Sequence, residues 1–128
     1  MFAARLIQAR QLRGLSQRAL GDRMGLGKDK GSSRINRYEH QVTAIGFDNL
    51  DTLAKVLDVP VSYLLADDAA MADAILALSQ ADEAQRNGLA MLIPALVQDP
   101  TLLSKLVKLL QLPKREQPKA LKALVEKN

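Results

Sequence analysis

Residues 31–40 read Gly-Ser-Ser-Arg-Ile-Asn-Arg-Tyr-Glu-His. Placed on a helix at about 100° per residue, Ser32, Ser33, Asn36 and Arg37 share one side. Ile35 and Tyr38 fall on the opposite side, flanked by Gly31 and Glu39. Such a segment can dock by its apolar pair and turn its polar side outward. The outward chemistry suits flat, polar edges. Arginine donates a bidentate pair to guanine O6 and N7, asparagine does the equivalent for adenine, and serine hydroxyls reach base or phosphate. Taken alone, the same four residues also read as an ordinary solvated face.

Catalytic chemistry finds no comparable set. The chain has one histidine and no cysteine, so thiolate nucleophiles, disulfides and thiolate metal sites are excluded. No nucleophile–base pair or metal cluster is suggested. The glycine-rich stretch Gly-Leu-Gly-Lys-Asp-Lys-Gly at 25–31 lacks Walker spacing and follows a predicted helix rather than a strand. The expectation is a protein that is not an enzyme and carries no metal or cofactor.

Charge points the same way as the 31–40 segment. Residues 1–38 hold nine basic and two acidic side chains, net +7, although the whole chain carries only +4. Residues 67–99 carry net −5 and residues 100–128 net +5. A basic first third is the footprint of a phosphate-binding surface. No apolar run approaches the roughly 20 residues that span a bilayer. The expected setting is the cytoplasm, without a membrane.

These residues must be held by helices. Aromatics make up 3% of the 128 residues, and the apolar ones are mostly Leu, Ala and Val, which favours helices packed on helices. Phe2, Leu6, Ala9 and Leu12 recur at helical spacing, and Gly14 stops that helix. Ser16 suits an N-cap for a second, short helix carrying Leu20 and Met24, ended by Gly25. Ser32 or Ser33 is expected to cap a third helix running to about His40. Phe47, Leu50, Leu53, Ala54 and Leu57 form the stripe of a fourth, and Pro60 to Leu65 suits a fifth.

Three stretches, in order, resemble the phage repressor/Cro-type helix-turn-helix domain, the XRE family. Arg5 to Leu26 is similar to its first two helices, with Leu-Ser-Gln opening the second. Ile35 to His40 is similar to the end of its recognition helix, and Phe47 to Leu65 to its fourth and fifth helices. The resemblance implies an all-α, five-helix DNA-binding domain over residues 1–66 that reads the major groove of double-stranded DNA. Ser32, Ser33, Asn36 and Arg37 become the base-reading residues. Gln17, by its place at the start of the second helix, and His40 and Gln41, after the third, become phosphate contacts, with Arg18, Lys28, Lys30 and Arg34 adding charge. Arg10 and Arg13 are further cations, although Arg10 equally suits an internal salt bridge with Glu39. The chain departs from the family in the turn before the third helix, which is longer than the usual three residues by about four. The added residues fall within 27–31. Lys28 and Lys30 there either approach a phosphate strand or sit on an idle loop.

Residues 67–128 read as a small helical C-terminal region. Met71, Ile75 and Leu78 suggest one helix. Leu89 to Leu96 suggest another, interrupted or kinked by Pro94. Leu102 to Leu110 is too apolar all round for a lone surface helix, and Pro113 ends it. Leu121, Leu124 and Val125 lie in a final lysine-rich segment. The apolar faces need a cover, either within the region or from a second copy, and a homodimer that reads two half-sites about 34 Å apart supplies one. The resulting expectation is a bacterial or phage transcriptional regulator of repressor type, associated with the nucleoid. The competing expectation is an antitoxin-like or adaptor protein whose C-terminal helices bind another protein. The residues name neither an operator nor a small-molecule effector.

Overall fold

The structure, a computed structural model, describes residues 2–27 and 30–126. Among them nine helices follow one another: α1 Phe2–Leu12, α2 Gln17–Arg23, α3 Gly31–Glu39, α4 Phe47–Leu57, α5 Val61–Leu64, α6 Ala69–Gln80, α7 Glu83–Gln98, α8 Pro100–Leu110 and α9 Gln117–Glu126. The chain divides into two compact units, residues 1–81 and 82–128.

The first unit is built around one core. Leu6, Leu20, Ile35, Leu53, Leu57, Tyr63 and Leu64 are fully buried and come from five different helices. α6 joins this core through buried Ala72 and packs on α5 and α1. Burial pushes the Tyr63 phenol above its ordinary pKa, and Asp73 adds to the rise against the opposing charges of Arg5 and Arg13.

Local chemistry sets the ends of these helices. Gly14 at φ +64 lets Leu15 N–H return to the Arg10 carbonyl at 3.0 Å, which closes α1. Ser16 Oγ accepts from Ala19 N–H at 2.9 Å and opens α2. Asp58, left-handed at φ 50, ends α4, and Arg13 donates to the carbonyls of Leu57 (2.8 Å) and Asp58 (2.7 Å). Arg13 is thus engaged as a cap for another helix.

Three local expectations are corrected. α3 starts at Gly31, with Lys30 before it and no side-chain cap, so Ser32 and Ser33 lie inside the helix and do not open it. Phe47 is 88% exposed: it sits in the first turn of α4, and the buried stripe begins one turn later at Leu50. α7 runs through Pro94 without a break.

The second unit holds α7, α8 and α9. Asp82 and Gln85 form a reciprocal capping box at the start of α7. Asp99 closes α7 and caps α8 by accepting from Leu102 N–H at 3.1 Å, and the two helices meet at 114°. No residue of α7, α8 or α9 is buried. No single helix among the described residues is long and apolar enough to cross a membrane.

Candidate nucleic-acid interface

The site starts from how closely α2 and α3 approach. Gly21, inside α2, lies against Gly31 at the start of α3. A Cβ on Gly21 would sit 2.5 Å from the Gly31 carbonyl carbon and 2.6 Å from its Cα. Only two residues without side chains permit that contact. It fixes where α3 emerges, and with it the direction of every side chain on α3. Gly21 had no role in the sequence reading, because a glycine within a helix looks like a weakness until its neighbour is seen.

From this anchor α3 splits as its spacing requires. Ile35 and Tyr38 are buried, and Phe2 meets the Tyr38 ring edge-on at 6.4 Å between centroids. Ser33, Asn36 and Arg37 are exposed and Ser32 is half-buried, so the structure brings all four proposed base-reading residues onto one accessible arc.

One flank of the arc leans on a polar network. Glu39 is buried and pairs with Arg10 Nε at 2.7 Å. Arg10 also donates to the Leu15 carbonyl at 2.9 Å. These bonds commit Arg10 to the interior. Gln17 donates from Nε2 to the other oxygen of Glu39, and its own oxygen accepts from Asn36 Nδ2 at 3.4 Å. A buried carboxylate requires such partners, since ionised groups are costly to leave unpaired away from water. The network therefore holds α1, α2 and α3 together and steadies both Gln17 and Asn36. The side chain of Gln17 is occupied inside the protein, while its position as the first residue of α2 places it at a helix N-terminus, where backbone N–H groups favour anions.

The other flank is a cleft of about 520 Å³ lined by Lys30, Ser33, Arg34, Arg37, Tyr38, Thr43, Ala44 and Asn49. Three cations and no carboxylate line it. Tyr38 Oη accepts from Asn49 Nδ2 at 3.3 Å, which ties α3 to the first turn of α4. Thr43 and Asn49 escaped the sequence reading. Thr43 lies in an irregular connector, and Asn49 reads as a polar gap in an apolar stripe. Only the docking angle of α4 brings them beside Arg34.

The remaining candidates lie outside this cleft. Arg18 is exposed on α2. His40 is exposed, with Nδ1 2.8 Å from the Asn36 carbonyl, a spacing at which the ring N–H donates. Gln41 is left-handed at φ 59 and lines a separate cavity with Phe2, Tyr38 and Thr43. Lys28 lies outside the described residues, so the expectation for the longer turn is carried by Lys30 alone.

With the geometry in view, the relatives can be placed. Residues 6–64 match the helix-turn-helix family. A solved structure titled as that of the transcriptional regulator BswR is similar at 32% identity and a TM-score of 0.67, covering 77% of this chain and 97% of that one. No curated protein matches. The chain belongs to the XRE-type helix-turn-helix family of DNA-binding transcriptional regulators. In this helix-turn-helix protein α2 and α3 are the paired helices. The match over residues 6–64 runs from α1 to α5, and Ile35 of α3 is buried in the core.

Proposed function

We propose that this protein is a transcriptional repressor that binds operator DNA as a homodimer and reads the major groove with α3. The observation that carries this reading is the exposed arc of Ser33, Asn36 and Arg37, flanked by a carboxylate-free cationic cleft. Arg37 and Asn36 supply bidentate donors to base edges, and Ser32 and Ser33 add hydroxyls. Lys30 and Arg34, with Thr43 and Asn49, hold one phosphate strand. The N-terminus of α2 at Gln17, with Arg18, holds the other, and His40 and Gln41 lie beside the end of α3. Glu39 acts behind the surface as a positioning residue, because it fixes Gln17, and Gln17 in turn supports Asn36.

Residues 1–66 supply the DNA-binding domain in this reading, and the rest of the chain supplies the second copy's contact. A bound dimer covers two half-sites and blocks polymerase in the cytoplasm of a bacterium or phage-infected cell. The adaptor or antitoxin reading draws on the same uncovered C-terminal helices. The arrangement of the DNA face favours the repressor, since a single α3 makes few base contacts and symmetry doubles them.

The test is selection of binding sites from random duplexes with the full chain, followed by titration of the selected site. Arg37→Ala and Asn36→Ala should each cost about 1–3 kcal/mol on that site and leave random DNA unchanged. Arg34→Ala should weaken selected and random DNA alike and lower the salt slope by about one. Equal losses on both DNAs for Arg37→Ala would reject its role in base reading.

A further inference from the structure

His40 is the chain's one imidazole, and it stands where α3 ends. It follows Asn36 by four residues, so it lies one turn further along the same face. The ring is exposed, and its Nδ1 is 2.8 Å from the Asn36 carbonyl oxygen. A carbonyl only accepts, so Nδ1 carries a proton at that distance. This bond decides what the other nitrogen can do. In the neutral ring Nε2 then holds a lone pair and no proton, and only in the cation does it donate. The two ring nitrogens point apart, which turns Nε2 away from the α3 carbonyl.

Resting on the DNA reading above, we propose that His40 meets a phosphate through Nε2–H and only as the cation, so that DNA binding takes up a proton and weakens as pH rises. A neutral ring held in this tautomer turns a lone pair toward an anion, which repels. The protonated ring makes a charge-assisted hydrogen bond in the same place. Among the described residues no carboxylate lies within ion-pair distance of the ring. Glu39, its chain neighbour, is buried, with one oxygen on Arg10 and the other on Gln17. α3 packs on α1 and α2 and is tied to α4 through Tyr38 and Asn49. Of the charges on those helices, Arg5 is buried, Arg13 is spent on carbonyls at the end of α4, and Asp51 pairs with Lys55. Arg18, Asp22 and Arg23 of α2 and Asp48 of α4 are exposed, as are Arg34 and Arg37 on α3 itself. The charge of the ring is therefore left to the solvent and to the anion that α3 meets.

The sequence makes the test specific. It holds no cysteine and no second histidine, so the α-amino group is the one other site that ordinarily titrates between about pH 5 and 8. The full chain is titrated onto the selected duplex at about pH 5.5 and about pH 8. The contact is present at the lower pH and lost as the ring deprotonates, so Kd should rise about three- to tenfold between the two. Calorimetry in two buffers of different ionisation enthalpy should show uptake of about half a proton per chain near pH 7. The slope of log K against log salt should be steeper by about 0.9 at the lower pH, where one more phosphate is neutralised. His40→Gln should bind equally at both pH values, with the affinity of the unmodified chain at the higher one. His40→Lys, a cation throughout, should match the unmodified chain at the lower pH and keep that affinity at the higher. A Kd of the unmodified chain that ignores pH would overturn the proposal, and so would the same pH response in His40→Gln or His40→Lys. A chain that binds no duplex at either pH would sink the DNA reading and this proposal with it, whereas firm binding without proton uptake sinks the proposal alone.

Discussion

The two units of this chain spend similar amounts of apolar sequence to different ends. In residues 1–81 leucines at 6, 20, 53, 57 and 64 vanish from the surface. In residues 82–126 leucines at 92, 103, 110, 112 and 121 stay substantially exposed. Composition does not separate the two groups. The difference is topological: six helices can surround a centre, whereas three helices with a 114° bend between the first two enclose none. The first unit is therefore a scaffold that can hold a recognition surface in place, and the second leaves its apolar side chains uncovered.

Cavity substitutions should divide the units most sharply. Leu53→Ala, at a fully buried site in α4, should cost about 2–5 kcal/mol in chemical denaturation, at any protein concentration. Leu103→Ala, already open on one side, should cost under about 1 kcal/mol when the chain is dilute. At high concentration its cost should grow, because a folded dimer is stabilised by mass action. A concentration-independent loss at Leu103 would mean that its stripe packs within one chain.

A smaller contrast lies in two helical glycines. Gly21→Ala drives a methyl into the backbone of Gly31 and should destabilise by about 1–3 kcal/mol, with DNA affinity falling alongside as α3 shifts. Gly88→Ala in α7 meets nothing within 4 Å and should stabilise that helix by about 0.5–1 kcal/mol without affecting DNA. Thermal melts of the two variants, followed by titration of the selected duplex, check both halves. A harmless Gly21→Ala would show that the α2–α3 contact has slack.

The same contrast explains what could be read from sequence. The helices of the first unit were legible because each carries its own period and end signal: Gly14, Ser16 and the stripe Leu50, Leu53, Leu57. Asn36 and Arg37 were legible because a helix with Ile35 and Tyr38 inward leaves them nowhere else to point. What escaped was whatever depended on two elements meeting. Gly21 matters only against Gly31, Asn49 only beside Arg34, and Arg13 only where α4 ends. Ser32 and Ser33 looked like caps because serine is favoured at N-caps, but α3 starts at Gly31, against Gly21, one residue ahead of them. Pro94 reads as a kink or an interruption because proline removes a backbone donor inside a helix, and α7 passes through it without interruption. The family resemblance carried the phosphate contacts, and the structure shows the side chain of Gln17 already engaged by Glu39 and Asn36.

The central claim is that α3 meets bases through Arg37 and Asn36, and guanine methylation interference on the selected duplex tests it most directly. Methylation at N7 of one guanine in each half-site should block the unmodified protein, and Arg37→Ala should abolish that block while leaving the remaining pattern intact. An interference pattern unchanged by Arg37→Ala and Asn36→Ala, with binding disturbed only by ethylated phosphates, would contradict it.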